Sequence, residues 1–273
     1  MTITGNTAVV GIIGNPIVQV KSPGAMNQYF ADHALDSLLV PMEIAPEAVP
    51  NFIAMVRSWT NCKGILVTVP YKQVVAPLLD HLTPRAARFQ TVNVFRRDAD
   101  GTLTGEMLDG VGFIAAAAAH GVDPAGKRAA VVGAGGVACA IANALCEHNV
   151  SHLAIQDLDA AKQDALIAKL RDAFPAIEIM AGVKSTAGLD ILVNGTPVGM
   201  NGDPRLPLPD AVLTELTKNC FVADVVTAPT MTPFLTLAKQ RGCIIQTGLE
   251  MTETQLVSLA AFMGVAATSE DTP

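Results

Sequence analysis

Short apolar runs alternate with helix-length segments along the first third of the chain. Residues 8–13 form an apolar run that ends in Gly14-Asn15-Pro16, which predicts a buried strand closed by a turn. Ser22-Pro23 then predicts a helix to about His33, with Ser22 as N-cap and Pro23 in the first helical position. Residues 38–42 read as a second strand, 49–59 as a helix, and 64–69 as a third strand stopped by Pro70. A helix from Tyr71 towards Leu79 completes a βαβαβα order, which predicts a mostly parallel sheet covered by helices. Residues 91–97 and 102–106 flank Asp98-Ala99-Asp100-Gly101, a hairpin turn.

A helix over about 110–120 closes at Gly121 and is expected to bridge two modules. A second alternating series follows: strand 129–132, helix 137–148, strand 152–156, helix 160–174, and strands near 177–180, 191–194 and 221–225. The final helix is expected over 252–263, after a turn at Gly248, with 267–273 as a loose tail. The fold class is therefore α/β, with an N-terminal βαβ domain and a second doubly wound domain.

Composition narrows the function classes. Half of the 273 residues are hydrophobic and 16% are charged, which excludes a disordered chain. The net charge is −7 and no Lys/Arg block exceeds a pair, so nucleic acid and anionic membranes are poor partners. The partner expected is a small molecule, and the chain a monomer or homodimer. The five cysteines include no Cys-x-x-Cys pair, which points to reduced thiols rather than a disulfide framework or zinc cage. No apolar run reaches about 18 residues, and Met-Thr-Ile-Thr-Gly carries no basic-then-hydrophobic leader, so the expected location is the cytoplasm.

The strongest local signal is Val131-Val132-Gly133-Ala134-Gly135-Gly136-Val137-Ala138, between a strand and a helix. Gly133 permits the tight turn, Gly135 lets the backbone approach a pyrophosphate, and Ala138 lets helix and strand pack closely. The amides of 133–137 at the helix start suit phosphate. Asp157 ends the next strand, 24 residues beyond Gly133 (157 − 133). An acid there accepts hydrogen bonds from ribose hydroxyls and repels a 2′-phosphate, and no Arg follows to hold one. NAD is the cofactor expected, in preference to NADP.

Polar residues also cluster where strands end, the place where parallel sheets bind ligands. One cluster is Gly14-Asn15-Pro16-Ile17 with Ser22-Pro23, a second Val67-Thr68-Val69-Pro70-Tyr71-Lys72, and a third Thr91-Val92-Asn93 with Leu108-Asp109-Gly110. Lys72 stands in an apolar neighbourhood, where burial makes a lysine usable as an acid or base. Asp109 opens a helix and can orient Lys72, and such a pair can take the proton of a hydroxyl during hydride transfer. Read singly, the two are equally a solvated helix lysine and a capping aspartate. No histidine is assigned a role, and no metal site is expected.

The ordered motifs resemble the shikimate/quinate dehydrogenase family. They are Gly14-Asn15-Pro16-Ile17 with Ser22-Pro23, Val67–Lys72, Val92-Asn93, Asp109-Gly110-Val111-Gly112, Gly133–Gly136, Asn194-Gly195-Thr196-Pro197-Val198-Gly199-Met200, and Gly248…Met251…Gln255. The resemblance covers nearly the whole chain. It implies that Lys72 and Asp109 are the catalytic pair and that Ser22, Thr68, Asn93 and Gln255 hold a substrate's carboxylate and hydroxyls. It implies that Asn194, Thr196 and Met200 lie beside the nicotinamide half of the cofactor, with Gly248 also on the cofactor side. It also implies that the C-terminal helix returns to the first domain, so the boundaries expected are 1–108 with 247–273 for that substrate-binding domain and 109–246 for the Rossmann domain.

This chain departs from the family pattern at several points. Gln19-Val20 stands where His-Ser is usual, Met107-Leu108 where Asn-Thr is usual, Leu66 for Asn and Thr227 for Tyr. Asp157-Leu158-Asp159 replaces an Asn-Arg-Thr run suited to NADP. Each missing partner of a buried carboxylate costs about 1–3 kcal/mol, so two losses lower affinity by roughly a hundredfold. The expectation is a divergent branch that prefers quinate or another polyhydroxylated cyclic acid to shikimate. The alternatives are a non-catalytic dinucleotide or metabolite sensor on the same scaffold, and a two-module dehydrogenase acting on a folate-like or amino-acid substrate.

Overall fold

Apolar runs bounded by turn residues become the buried strands of two sheets in a computed structural model that describes residues 2–266. The chain divides into two compact units: one runs to Leu108 and resumes at Gln255, and the other is Asp109–Thr254. The tail expected over 267–273 lies outside the described residues.

The first unit contains β1 (Ala8–Gly14), α1 (Ser22–Asp32), β2 (Ser37–Glu43), α2 (Val49–Val56), β3 (Cys62–Val67), α3 (Lys72–Val75), β4 (His81–Leu82), α4 (Pro84–Phe89), β5 (Val94–Arg97) and β6 (Leu103–Glu106). Its sheet runs β2-β1-β3-β5-β6-β4. The sheet is mostly parallel, as expected, with one antiparallel strand inserted. β1 is parallel to β2 and β3, and β4 to β6, but β5 is antiparallel to both β3 and β6. The short turn at Asp98–Gly101 accounts for the antiparallel β5–β6 pair, because a few residues can only reverse the chain. The helix expected over 71–79 stops at Val75 and gives way to a 3-10 turn at Ala76–Leu78. Pro77 supplies no backbone N–H there. Ser22 is not the N-cap of α1: Lys21 holds that position without a side-chain cap, and Ser22 is the first helical residue.

The second unit contains α5 (Asp109–Ala119), β7 (Arg128–Val132), α6 (Gly136–Glu147), β8 (His152–Gln156), α7 (Ala160–Ala173), β9 (Glu178–Ala181), β10 (Ile191–Asn194), α8 (Asp210–Leu213), β11 (Phe221–Asp224), α9 (Pro233–Gln240) and β12 (Ile244–Gln246). Every strand pair is parallel, and the order is β12-β11-β10-β7-β8-β9. The strand order reverses between β7 and β10, and in doubly wound sheets ligands bind beyond the carboxyl ends at that point. α5 belongs wholly to this unit and packs on α6 instead of bridging. The last helix, α10 (Gly248–Phe262), begins in the second unit and ends in the first. It starts earlier than expected because Thr247 and Glu250 form a capping box. The Thr247 Oγ1 accepts from the Glu250 N–H at 3.2 Å, and the Glu250 carboxylate accepts from the Thr247 N–H at 2.7 Å.

Gly110 lets α5 approach α6 closely, since a Cβ there would stand 2.4 Å from the Ala140 carbonyl oxygen. Backbone cannot yield as a flexible side chain can. Gly110→Val is therefore expected to destabilise the second unit by about 3 kcal/mol and to lower the melting temperature by roughly 6–12 °C. Calorimetry on the variant checks this, and an unchanged transition would refute the packing argument.

Among the described residues, no helix is long and apolar enough to cross a membrane. All five cysteines are buried free thiols. Burial pushes Cys62 and Cys139 up to about 11 and Cys220 up to about 12, so these sulfurs stay protonated near neutral pH.

Candidate functional site

The glycine turn lies at the carboxyl end of β7. Gly133 has φ +111°, a conformation that favours glycine, and a Cβ on it would come 3.0 Å from the Gly195 carbonyl oxygen. Gly135 precedes α6 in extended backbone (φ −78°, ψ 178°) and no side chain caps this helix. No atom lies within 4 Å of where its Cβ would be. Open space above uncapped helical amides fits a diphosphate. Ala138 is buried, and a Cβ on Gly195 would stand 2.7 Å from the Ala138 Cβ, as the third small position of the motif requires.

Asp157 follows β8 and its carboxylate turns back onto this turn. Its Oδ2 accepts from the Ala134 N–H at 2.6 Å, and its Oδ1 from the Asp159 N–H at 2.8 Å. The Ala134 amide, expected among the phosphate donors, is thus engaged by Asp157. The carboxylate closes the glycine turn and remains half-exposed beside it.

The stretch from 194 to 200 is organised by the buried Asn194 side chain. Its Nδ2 donates to the Val198 carbonyl at 3.1 Å and to Asp224 Oδ1 at 3.0 Å. Its Oδ1 accepts from the Thr196 N–H at 3.1 Å and the Thr196 hydroxyl at 2.6 Å. The Gly195 N–H donates to the Val132 carbonyl at 2.7 Å, which seats this stretch directly against the glycine turn. Met200 is exposed. Gly248 admits the start of α10 close to the loop after β11: a Cβ on it would meet the Val225 and Val226 carbonyl oxygens at 2.5 Å.

Asp224 was not singled out from sequence. It ends β11 and is 1% exposed. Burial pushes its carboxyl up to about 6, against the opposing pull of the Val226 N–H, Thr232 and Asn194. The signal available was an acid closing the buried strand Phe221–Asp224, at the same sheet edge as Asn194.

In the first unit, Thr68 directly follows β3 and its N–H donates to the Ile13 carbonyl at 3.0 Å. A Cβ on Gly14 would approach the Thr68 Cγ2 at 2.7 Å, so the turn after β1 packs on Thr68. Lys72 opens α3, and its carbonyl accepts from the Val92 N–H at 2.9 Å, next to Asn93. Asn93 is buried, and its Oδ1 accepts from the Leu108 N–H at 2.8 Å. Thr68, Lys72 and Asn93 therefore share the rim at the carboxyl end of β3. Ser22 is buried at the start of α1, and Gln255 is buried on α10, just beyond which Met263 packs against Gly64 of β3. Lys72 is half-buried rather than enclosed, because α3 begins at the sheet rim. Asp109 is buried as the first residue of α5, in the second unit. The departures from the family pattern are apolar in the structure too: Leu66, Met107 and Leu108 are buried and Val20 is half-buried.

Residues 12–95 match the family described as the shikimate dehydrogenase substrate binding domain. A shikimate dehydrogenase (NADP(+)) of Rhodospirillum rubrum is 34% identical over 98% of this chain and 96% of that protein. Among solved structures, shikimate 5-dehydrogenase from Listeria monocytogenes in complex with shikimate and NAD is 29% identical with a TM-score of 0.89, covering 99% of this chain and 96% of that one. The ligand-free 5-ketofructose reductase of Gluconobacter sp. strain CHM43 is 28% identical with a TM-score of 0.86, covering 97% and 96%.

Proposed function

Because the chain belongs to the shikimate dehydrogenase family, we propose that it moves hydride between a nicotinamide cofactor and the alcohol carbon of a shikimate- or quinate-type cyclic hydroxy acid. The observation that carries the reading is the open, uncapped glycine turn at the strand-order reversal, joined in one chain to the Lys72, Thr68 and Asn93 rim. The relatives are enzymes, which favours catalysis over a metabolite sensor.

When bound, the cofactor supplies the hydride acceptor or donor. The chain supplies binding and the proton. Ser22, Thr68, Asn93 and Gln255 hold the substrate's hydroxyls and carboxylate by hydrogen bonds. Lys72, as the neutral amine, accepts the hydroxyl proton at Nζ in the oxidising direction and returns it in the reducing one, and Asp109, the second member of the pair, accepts a hydrogen bond from a substrate hydroxyl. Gly135, Gly136 and Val137 hold the diphosphate beside the turn that Gly133 shapes, its own N–H being donated to the Gln156 carbonyl, and Asn194, Thr196, Met200 and Gly248 line the nicotinamide side.

NAD is the preferred cofactor in this reading, although the Rhodospirillum relative is named for NADP(+). Asp157 and Asp159 present two carboxylates beyond β8, where a 2′-phosphate would be repelled and no Arg follows to neutralise it. A neutral polyhydroxy ketone is the second reading, favoured by Val20, Met107 and Leu108 in place of polar groups and by the likeness to 5-ketofructose reductase.

Initial rates at the reduced-nicotinamide absorbance, with shikimate and quinate each paired with NAD and NADP, test the proposal. The expected result is turnover with NAD, faster for quinate. Faster turnover with NADP would remove the role given to Asp157 and Asp159. Reduction of a neutral polyhydroxy ketone, with silence towards both acids, would select the second reading.

A further inference from the structure

We propose that Asp224 is a positioning residue that sets the shape of the nicotinamide-side stretch from 194 to 200; this rests on the dehydrogenase reading above. Its carboxylate ties Asn194, thirty positions away, to two groups that follow Asp224 closely in the chain. Oδ1 accepts from Asn194 Nδ2 at 3.0 Å and from the Val226 N–H at 3.0 Å, and Oδ2 accepts from the Thr232 hydroxyl at 2.7 Å. Thr232 in turn caps α9, its Oγ1 accepting from the Leu235 N–H at 3.2 Å.

The inference turns on the direction of these hydrogen bonds. A carboxylate accepts and does not donate, so the Asn194 amide must turn its NH2 group towards Asp224. Its oxygen then faces Thr196 and takes both the N–H and the hydroxyl proton of that residue. The Thr196 oxygen keeps its lone pairs free, and one accepts the Val198 N–H at 3.2 Å. Asp224 Oδ1 and the Val198 carbonyl, which only accept, and the Thr196 N–H, which only donates, agree on one orientation of the Asn194 amide, and Asp224 anchors that amide to β11. Since a Cβ on Gly133 would come 3.1 Å from the Thr196 Cγ2, Thr196 also borders the glycine turn.

A carboxylate 1% exposed with no cation among the groups acting on it is a costly way to close a strand. β10 brings Asn194, the loop after β11 brings backbone amides and α9 brings Thr232, all uncharged. The folded protein holds the Asp224 proton more tightly than the unfolded chain does, with a folded value of about 6. Stability therefore falls as pH rises from the ordinary carboxylate range through about 6, and stays lower above it. An asparagine is neutral throughout and removes that penalty, and its oxygen, kept towards the Val226 N–H, still accepts from Asn194. An alanine removes that acceptor altogether.

The test compares wild type, Asp224→Asn and Asp224→Ala for binding of NADH and of ADP-ribose, which lacks the nicotinamide ring. Asp224→Ala is expected to weaken NADH binding about fivefold to tenfold and to leave ADP-ribose within about twofold. Asp224→Asn, which keeps the acceptor, should bind both ligands within about twofold of wild type, with a melting temperature at pH 8 no lower than that of wild type. Unchanged NADH binding in Asp224→Ala overturns the proposal, as does an equal weakening of both ligands, which marks a merely structural role. A wild type that binds neither ligand overturns the dehydrogenase reading and this proposal with it.

Discussion

Replacing Lys72 with alanine lowers kcat by about two to four orders of magnitude, the usual size of a lost general acid–base group, and leaves NADH affinity nearly unchanged. The reason is a separation of tasks within the chain. Lys72 opens α3 in the first unit, whereas the glycine turn and the 194–200 stretch belong to the second. Removing an ammonium from the β3 rim alters no donor that faces the diphosphate. Without Nζ, the hydroxyl proton must leave to water, and the barrier rises in both reaction directions. Stopped-flow or initial-rate absorbance gives kcat, and fluorescence titration gives the NADH dissociation constant. Turnover within a few-fold of wild type would remove Lys72 from the mechanism, and a parallel loss of NADH affinity would show that it acts through folding instead. Lys72→Arg keeps the charge but cannot give up a proton at neutral pH, so it should be about as slow as the alanine variant.

Gly135→Val produces the second large effect, a loss of cofactor affinity of roughly a hundredfold with an unchanged fold. The backbone at this position is extended and suits any residue, and the space around its missing Cβ is empty. A valine there strains nothing in the free protein, but it stands where a diphosphate must approach the first amides of α6. Losing one or two charge-assisted hydrogen bonds is worth about 3 kcal/mol, which corresponds to the hundredfold figure. Gly133→Val is the instructive contrast. Its positive φ and the Gly195 carbonyl at 3.0 Å predict loss of stability as well as of binding. A calorimetric scan beside an NADH titration separates the two. Wild-type affinity in Gly135→Val would mean that the cofactor does not lie on this turn.

Which parts of the molecule were legible follows from how far apart the cooperating residues are in sequence. The strand–glycine–helix signal at 131–138 and the hairpin turn at 98–101 are local, and both stand where expected. α4 and α9 were missed although Thr83-Pro84 and Thr232-Pro233 each announce a helix start, with the threonine hydroxyl accepting from the first turn. The start of α10 was misplaced for a similar reason, since the Thr247–Glu250 pair is a local capping signal that outweighs the glycine between them. The motif residues of the first unit were readable as polar groups at strand ends, and the structure brings Thr68, Lys72 and Asn93 to one rim.

By itself the sequence determined the αβ alternation, the glycine turn and the acid beyond β8, because apolar periodicity and positive-φ requirements act over a few neighbouring residues. Only the tertiary structure decided the antiparallel entry of β5 beside β3, the capture of Asp157 by the Ala134 amide, and the burial of Asp224 among Asn194, Val226 and Thr232. Asn194 and Asp224 are thirty positions apart in the chain. A carboxylate gains its anchoring role only when the sheet order places those strands side by side and removes the water that would otherwise solvate it.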